Sequence, residues 1–162
     1  MLKLVSLDQL KSVGGVGLAI ATLIAAALEF ARRRIRPEGL RIGFPADVLP
    51  LIMNYADRKQ EHFLCVSING ANEVIATRVI SVGLANKSQV HPREVFADAI
   101  TDRASAVIIA HNHPSGPLTP SREDIEVTTR LKGVGELLGI KLLDRIVFNA
   151  KGHYSFLEHQ EL

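Results

Sequence analysis

The chain predicts a mixed α/β (α+β) domain, a sheet flanked by helices, preceded by a small helical hairpin. Three features carry that expectation. Residues 104–110 (ASAVIIA) form a continuous apolar run, as in a strand buried on both faces. Asn69-Gly70 is a strong hairpin-turn signal between two strand-like stretches. Helix-period segments alternate with the strands instead of being set apart, as when helices cover a sheet.

Taken in order, residues 1–37 read as helix, tight turn, helix. Leu7, Leu10 and Val13 keep near-helical spacing until Gly14, Gly15 and Gly17 interrupt it, and a second helix at about 18–35 is rich in Ala and Leu. Two prolines and two glycines mark 37–45 as a linker into a domain spanning 38–162. Val48, Leu51, Ile52 and Tyr55 predict a helix over 47–58, with Asp47 near its start. Strands follow at 61–68 and 73–82, then a helix at 92–101 opened by Pro92. After the strand at 104–110, a loop leads to a helix at 121–138 stopped by Gly139; strands at 140–148 and 153–157 close the chain.

With 47% hydrophobic and 22% charged residues, the composition excludes disorder and collagen-like structure. A length of 162 residues suffices for a core without staples. The single cysteine, Cys65, can form neither an internal disulfide nor a Cys-rich zinc site; its apolar surroundings predict a buried, inert thiol. Residues 12–28 are uncharged but hold three glycines and are short for a membrane span. Lys3 and Lys11 before that stretch, with Ala25, Ala26 and Ala27 in it, imitate a signal peptide. Asp8 and the helical continuation into Glu29-Phe-Ala-Arg-Arg-Arg oppose that reading. A cytoplasmic protein without membrane contact is expected.

A net charge of +2 does not indicate nucleic-acid binding, although Arg32, Arg33, Arg34, Arg36 and Arg41 crowd together. The turn Gly15-Val16-Gly17 resembles half of a helix-hairpin-helix motif, in which free N–H groups meet DNA phosphates. DNA contact through residues 1–36, at Gly15, Gly17, Arg32, Arg33 and Arg34, is one expectation. An Ala-rich helical pair with a solvated arginine face is the other.

The chemistry is concentrated in residues 110–124, AHNHPSGPLTPSRED. In extended backbone His111 and His113 point to one side, and two imidazole nitrogens at that spacing suit a zinc ion. Asp124, in the first turn of the next helix, is the candidate third ligand; three ligands plus water leave an open catalytic position. The separate pieces have simpler explanations. Ser121-x-x-Asp124 satisfies a helix capping box, and loop histidines are commonly solvated. The conjunction of His-x-His, seven residues and Ser-x-x-Asp after an apolar strand is far more specific than either piece.

That string resembles the signature of JAMM (MPN+) metalloprotease-like domains, and the flanking HNHPSGPLTPSREDIEVTTRL with VHPREVF is similar to the bacterial RadC family. The resemblance covers residues 38–162 nearly throughout. It implies an MPN/JAB-like fold and one zinc ion per chain held by His111, His113 and Asp124. It further implies that Ser121 supports the bound water or the oxyanion, and that Glu61 is the general base. Taken alone, Glu61 would be a solvated charge at a strand end; Glu73 and Glu94 are the competing carboxylates. Relatives commonly carry Asp-His where this chain has Asp144-Arg145. His91, His153 and His159 are expected to be structural or solvated.

The implied activity is hydrolysis of an amide or isopeptide bond in a peptide or protein substrate. A DNA-repair or recombination accessory protein and a metal-dependent nuclease are the alternatives. Nothing in the residues assigns an oligomeric state.

Overall fold

The computed structural model describes residues 7–34, 39–83, 90–114 and 116–162, with the side chains of 29–34 outside the description. The chain divides into two units, Met1–Arg36 and Pro37–Leu162.

In the first unit, helix α1 (Leu7–Lys11) and helix α2 (Leu18–Arg34) are joined by the glycine turn. Gly15 adopts φ +85°, a conformation that disfavours any side chain, and a Cβ on Gly15 or Gly17 would meet open space. The side chains of Arg32, Arg33 and Arg34, expected to touch DNA, lie outside the described residues, as does Arg36 altogether. Among the described residues, no helix is long and apolar enough to cross a membrane.

The second unit is a five-stranded mixed sheet in the order β2-β1-β3-β4-β5. Its strands are β1 (His62–Ile68), β2 (Val74–Val82), β3 (Ala106–Asn112), β4 (Lys141–Asn149) and β5 (Gly152–Ser155). Strands β3 and β4 run parallel, joined by a crossover through helix α5 (Arg122–Leu138); all other neighbours are antiparallel. Strand β3 is buried at every residue, as its uninterrupted apolar run requires.

Period-two alternation sorts the strands into two cores. Leu64, Val66, Ala106, Ile108, Ala110, Ile146 and Phe148 pack on one face with Val48 and Ile52. Phe63, Cys65, Val107 and Ile109 pack on the other, against Val95, Phe96 and Ala99 of helix α4 (Pro92–Thr101) and Val127 and Leu131 of α5. Cys65 is buried, and burial pushes its thiol pKa up to about 12, so it is inert as expected.

Several elements differ from the sequence reading. The helix expected over 47–58 is broken into a 3₁₀ turn (Pro45–Val48), a single α turn, α3 (Leu49–Ile52), and a second 3₁₀ turn (Met53–Tyr55). Pro50 has no N–H to return to Ala46 and its ring crowds that carbonyl, so a continuous helix cannot form. Asp47 instead accepts from the Gly43 and Phe44 N–H groups at 2.8 and 2.9 Å. In the β1–β2 hairpin the left-handed residue is Asn72 (φ 61°), not Gly70. The Asn69 side chain sets that longer turn by accepting from Ala71 N and Glu73 N. Strand β3 continues two residues past the expected Ala110, so His111 lies within the strand. The final strand ends at Ser155, where the buried Asp144 carboxylate accepts from the Ser155 hydroxyl and Leu157 N–H.

Candidate metal centre

The site forms where β3 leaves the sheet and α5 begins. His111 pairs with Phe63 of β1 on one side and Val147 of β4 on the other, so its backbone is fixed by two ladders. His113 follows the end of β3, its N–H bonded to the Phe148 carbonyl at 2.8 Å. The loop then passes Pro114, Pro117 and Pro120, and Ser121 caps α5.

Three groups converge. His111 Nε2 lies 2.8 Å from His113 Nε2 and 3.0 Å from Asp124 Oδ1; His113 Nε2 is 3.7 Å from Asp124 Oδ2. All three residues are buried, and among the described residues they form the one group of three able to hold a metal ion. Two imidazoles and one carboxylate match the donor set of a zinc-type cation. The tautomer of His113 also fits. Its Nδ1 is 2.7 Å from the Pro117 carbonyl, which can only accept, so Nδ1 carries the proton and Nε2 offers its lone pair inward.

Asp124 serves two purposes that the sequence presents as rivals. Its Oδ2 accepts from Ser121 N at 2.9 Å and Ser121 Oγ at 2.6 Å, while its own N–H donates to Ser121 Oγ at 3.2 Å. That is a complete capping box. The same carboxylate presents Oδ1 to His111, so one residue both caps and faces the imidazoles. Burial alone would raise its pKa. The hydrogen bond and charge of His111 and the bonds from Ser121 outweigh burial, holding the carboxyl ionised far below its usual range. The Ser121 hydroxyl, expected near a water or oxyanion, is here engaged with Asp124.

Glu61 immediately precedes β1. Continuing the β1–β3 register beyond the Phe63–His111 pair sets residue 61 opposite His113. Alternation gives it the face of Phe63, the face that also carries His111. Asn112, which the sequence reading left without a role, fastens this segment. Its Oδ1 accepts from His62 N at 2.6 Å, and its Nδ2 donates to the Gln60 and Arg58 carbonyls at 3.2 and 3.4 Å. The side chain between the two histidines therefore holds the backbone on both sides of Glu61.

The competing carboxylates lie elsewhere. Glu73 accepts from Asn69 Nδ2 at the far end of the hairpin, and Glu94 pairs with Arg93 on the exposed first turn of α4. His91 caps α4, His153 lies 3.7 Å from Glu158, and His159 bonds the Ser155 carbonyl and stacks on Tyr154.

Arg145 on β4, noted in the sequence only as a departure from relatives and given no role, also reaches the site. It is completely buried, with Nη2 3.4 Å from Asp124 Oδ1 and its guanidinium carbon 4.5 Å above the Phe63 ring. Burial pulls its pKa down to about 10, against the opposing charges of Asp124 and Glu61. The guanidinium thus remains a cation at neutral pH and feels both carboxylates of the site.

Residues 42–162 match the family model for the RadC-like JAB domain. A UPF0758 protein of Methanospirillum hungatei is 49% identical over 148 residues, covering 88% of this chain and 66% of that protein. UPF0758 proteins of Rubrobacter xylanophilus and Bacillus licheniformis are 46% and 45% identical, covering 95% and 98% of this chain and 69% and 72% of theirs. The chain thus spans roughly two thirds of the length of these relatives. A mixed sheet, a buried His-x-His and aspartate grouping, and similarity over nearly its whole length place this chain in the RadC-like JAB domain family.

Proposed function

We propose that this chain is a zinc-dependent hydrolase cleaving an amide or isopeptide bond, with one zinc ion per chain bound by His111, His113 and Asp124. One observation carries the reading: two imidazole Nε2 atoms and a buried carboxylate oxygen lie within 3.0 Å of their nearest neighbours in the group. Zinc bound by such a set acidifies a water and polarises a carbonyl oxygen.

The chain's own residues supply the rest. Glu61 takes a proton from the attacking water and returns it to the departing amine. Asn112 fixes the backbone around that base, so its reach is set by the sheet and not by a loose loop. Ser121 acts through Asp124, keeping it ionised and oriented toward the imidazoles, a role its hydrogen bonds support more directly than contact with an oxyanion.

The first test is metal content in protein purified without a histidine tag. Close to one zinc per chain is expected; about a tenth of an equivalent or less after reloading overturns the reading. The second is Glu61→Gln, which should keep the metal and lose turnover of amide- and isopeptide-linked fluorogenic peptides. Cleavage of phosphodiesters by the parent protein, with amides left intact, would reassign the site to a nuclease. A separate proposal, DNA contact by residues 1–36, is supported by the exposed Gly15 and Gly17 of the turn. It requires steeply salt-dependent duplex binding that disappears when those residues are removed.

A further inference from the structure

We propose that Arg145 is a resident counter-cation of the metal centre: it holds Asp124 in place while the site is ion-free and competes with the metal for the same carboxylate oxygen. This rests on the zinc reading above and assigns a role to a residue that reading leaves unused.

Arg145 is an expensive residue in its position. A guanidinium buried from all solvent gives up its hydration, and an apolar side chain of similar volume is often the more stable choice. Its recorded compensation is thin. Nη2 makes one long bond, 3.4 Å, to Asp124 Oδ1, while Nε and Nη1 have no hydrogen-bond partner among the described residues. The cation also lies 4.5 Å over the Phe63 ring, and that ring stacks near His111. A guanidinium needed only for structure would be expected to have its five donors satisfied.

The placement explains the arrangement. Asp124 Oδ1 is the oxygen shared by His111, at 3.0 Å, and Arg145. An ion bound by the histidines would draw on that same oxygen. Without the ion, the completely buried carboxylate, bonded to Ser121 through Oδ2, still needs a group that keeps Oδ1 aimed inward. Arg145 is that group. With the ion present, the guanidinium becomes a neighbouring like charge and weakens the hold on the metal. The site is therefore preformed before loading, and its affinity is lowered in return.

The experiment compares the full chain with Arg145→Gln, Arg145→Lys and Arg145→His, the last read near pH 8 where a histidine is largely neutral. Zinc affinity is measured by competition with a chromophoric chelator, and urea stability with and without zinc. In Arg145→Gln the ion-free protein should lose stability while zinc binds about tenfold tighter or more, so zinc-induced stabilisation grows. Arg145→His should follow Gln, and Arg145→Lys should restore parental affinity. A variant that is unfolded without zinc but folds on zinc addition also supports the proposal. Affinity unchanged within about twofold, with equal stability losses in the ion-free and loaded states, makes Arg145 a strut of the core and overturns it. Weaker binding in Arg145→Gln and Arg145→His also overturns it, as does failure of both to fold at saturating zinc. If the parent protein binds no zinc, the metal reading itself falls and this proposal with it.

Discussion

Replacing Ser121 with alanine separates the two duties of Asp124. The hydroxyl donates to Asp124 Oδ2 at 2.6 Å and accepts from Asp124 N at 3.2 Å, so one deletion removes both bonds. Loss of an N-cap side chain costs about 1 kcal/mol. A hydrogen bond to an ionised group contributes about 1.5–3 kcal/mol. The Ser121 N–H still reaches Oδ2 at 2.9 Å and recovers part of this, which leaves an expected loss of about 2 kcal/mol. Because the released carboxylate can rotate, zinc affinity should fall about 10- to 100-fold. Urea titrations with and without a chelator measure the first quantity, and chelator competition the second. A stability loss with unchanged zinc affinity would show that the hydroxyl serves only the helix. A loss below about 0.5 kcal/mol would refute the double bond to Asp124 itself.

Asn112→Ala should cost about 2–3 kcal/mol by leaving the His62 N–H and the Arg58 carbonyl without this partner, while the Gln60 carbonyl keeps its bond to His62 Nδ1, and should reduce turnover far more than zinc affinity; equal loss of both would refute its link to Glu61. Gly135→Ala is expected to destabilise by about 1–3 kcal/mol despite alanine's better helix propensity, because its Cβ would meet the Ile140 carbonyl at 2.5 Å and Phe96 at 3.3 Å. Thermal unfolding of the variant gives the sign. The bond from Arg78 holds the Asp102 pKa below its usual value, so this group adds stability above its unfolded pKa of about 4 that is lost as pH falls through the lower folded value. Comparing urea midpoints near pH 6 and pH 3, Asp102→Asn should lose stability at the higher pH and flatten the difference; a parallel offset would contradict this origin.

The sheet was legible because its strands carry strong local signals. Residues 104–110 could hardly be anything but a central strand, and Pro92 and Gly139 mark helix boundaries that fall where they were expected. The broken helix near Pro50 was misread because the apolar spacing of Val48, Leu51 and Ile52 survives the interruption: those residues still face the core, without one continuous backbone ladder. The grouping of His111, His113 and Asp124 was readable from spacing, since His-x-His and the cap are local in the chain. Asn112 and Arg145 were not. Asn112 acts across fifty residues on His62, and Arg145 across twenty-one on Asp124. Neither separation leaves a trace in local periodicity. The signals that could have exposed them are chemical: an amide enclosed between two histidines, and an arginine inside the apolar strand 141–149.

The shared duty of Asp124 offers a way to sort related chains without solving their structures. A helix start is equally content with glutamate three positions after the cap, since the longer arm still reaches back to the backbone. An ion enclosed at fixed radius does not tolerate the added methylene so easily. Under the zinc reading, glutamate at this place would mark relatives that preserved the helix start without the ion's geometry.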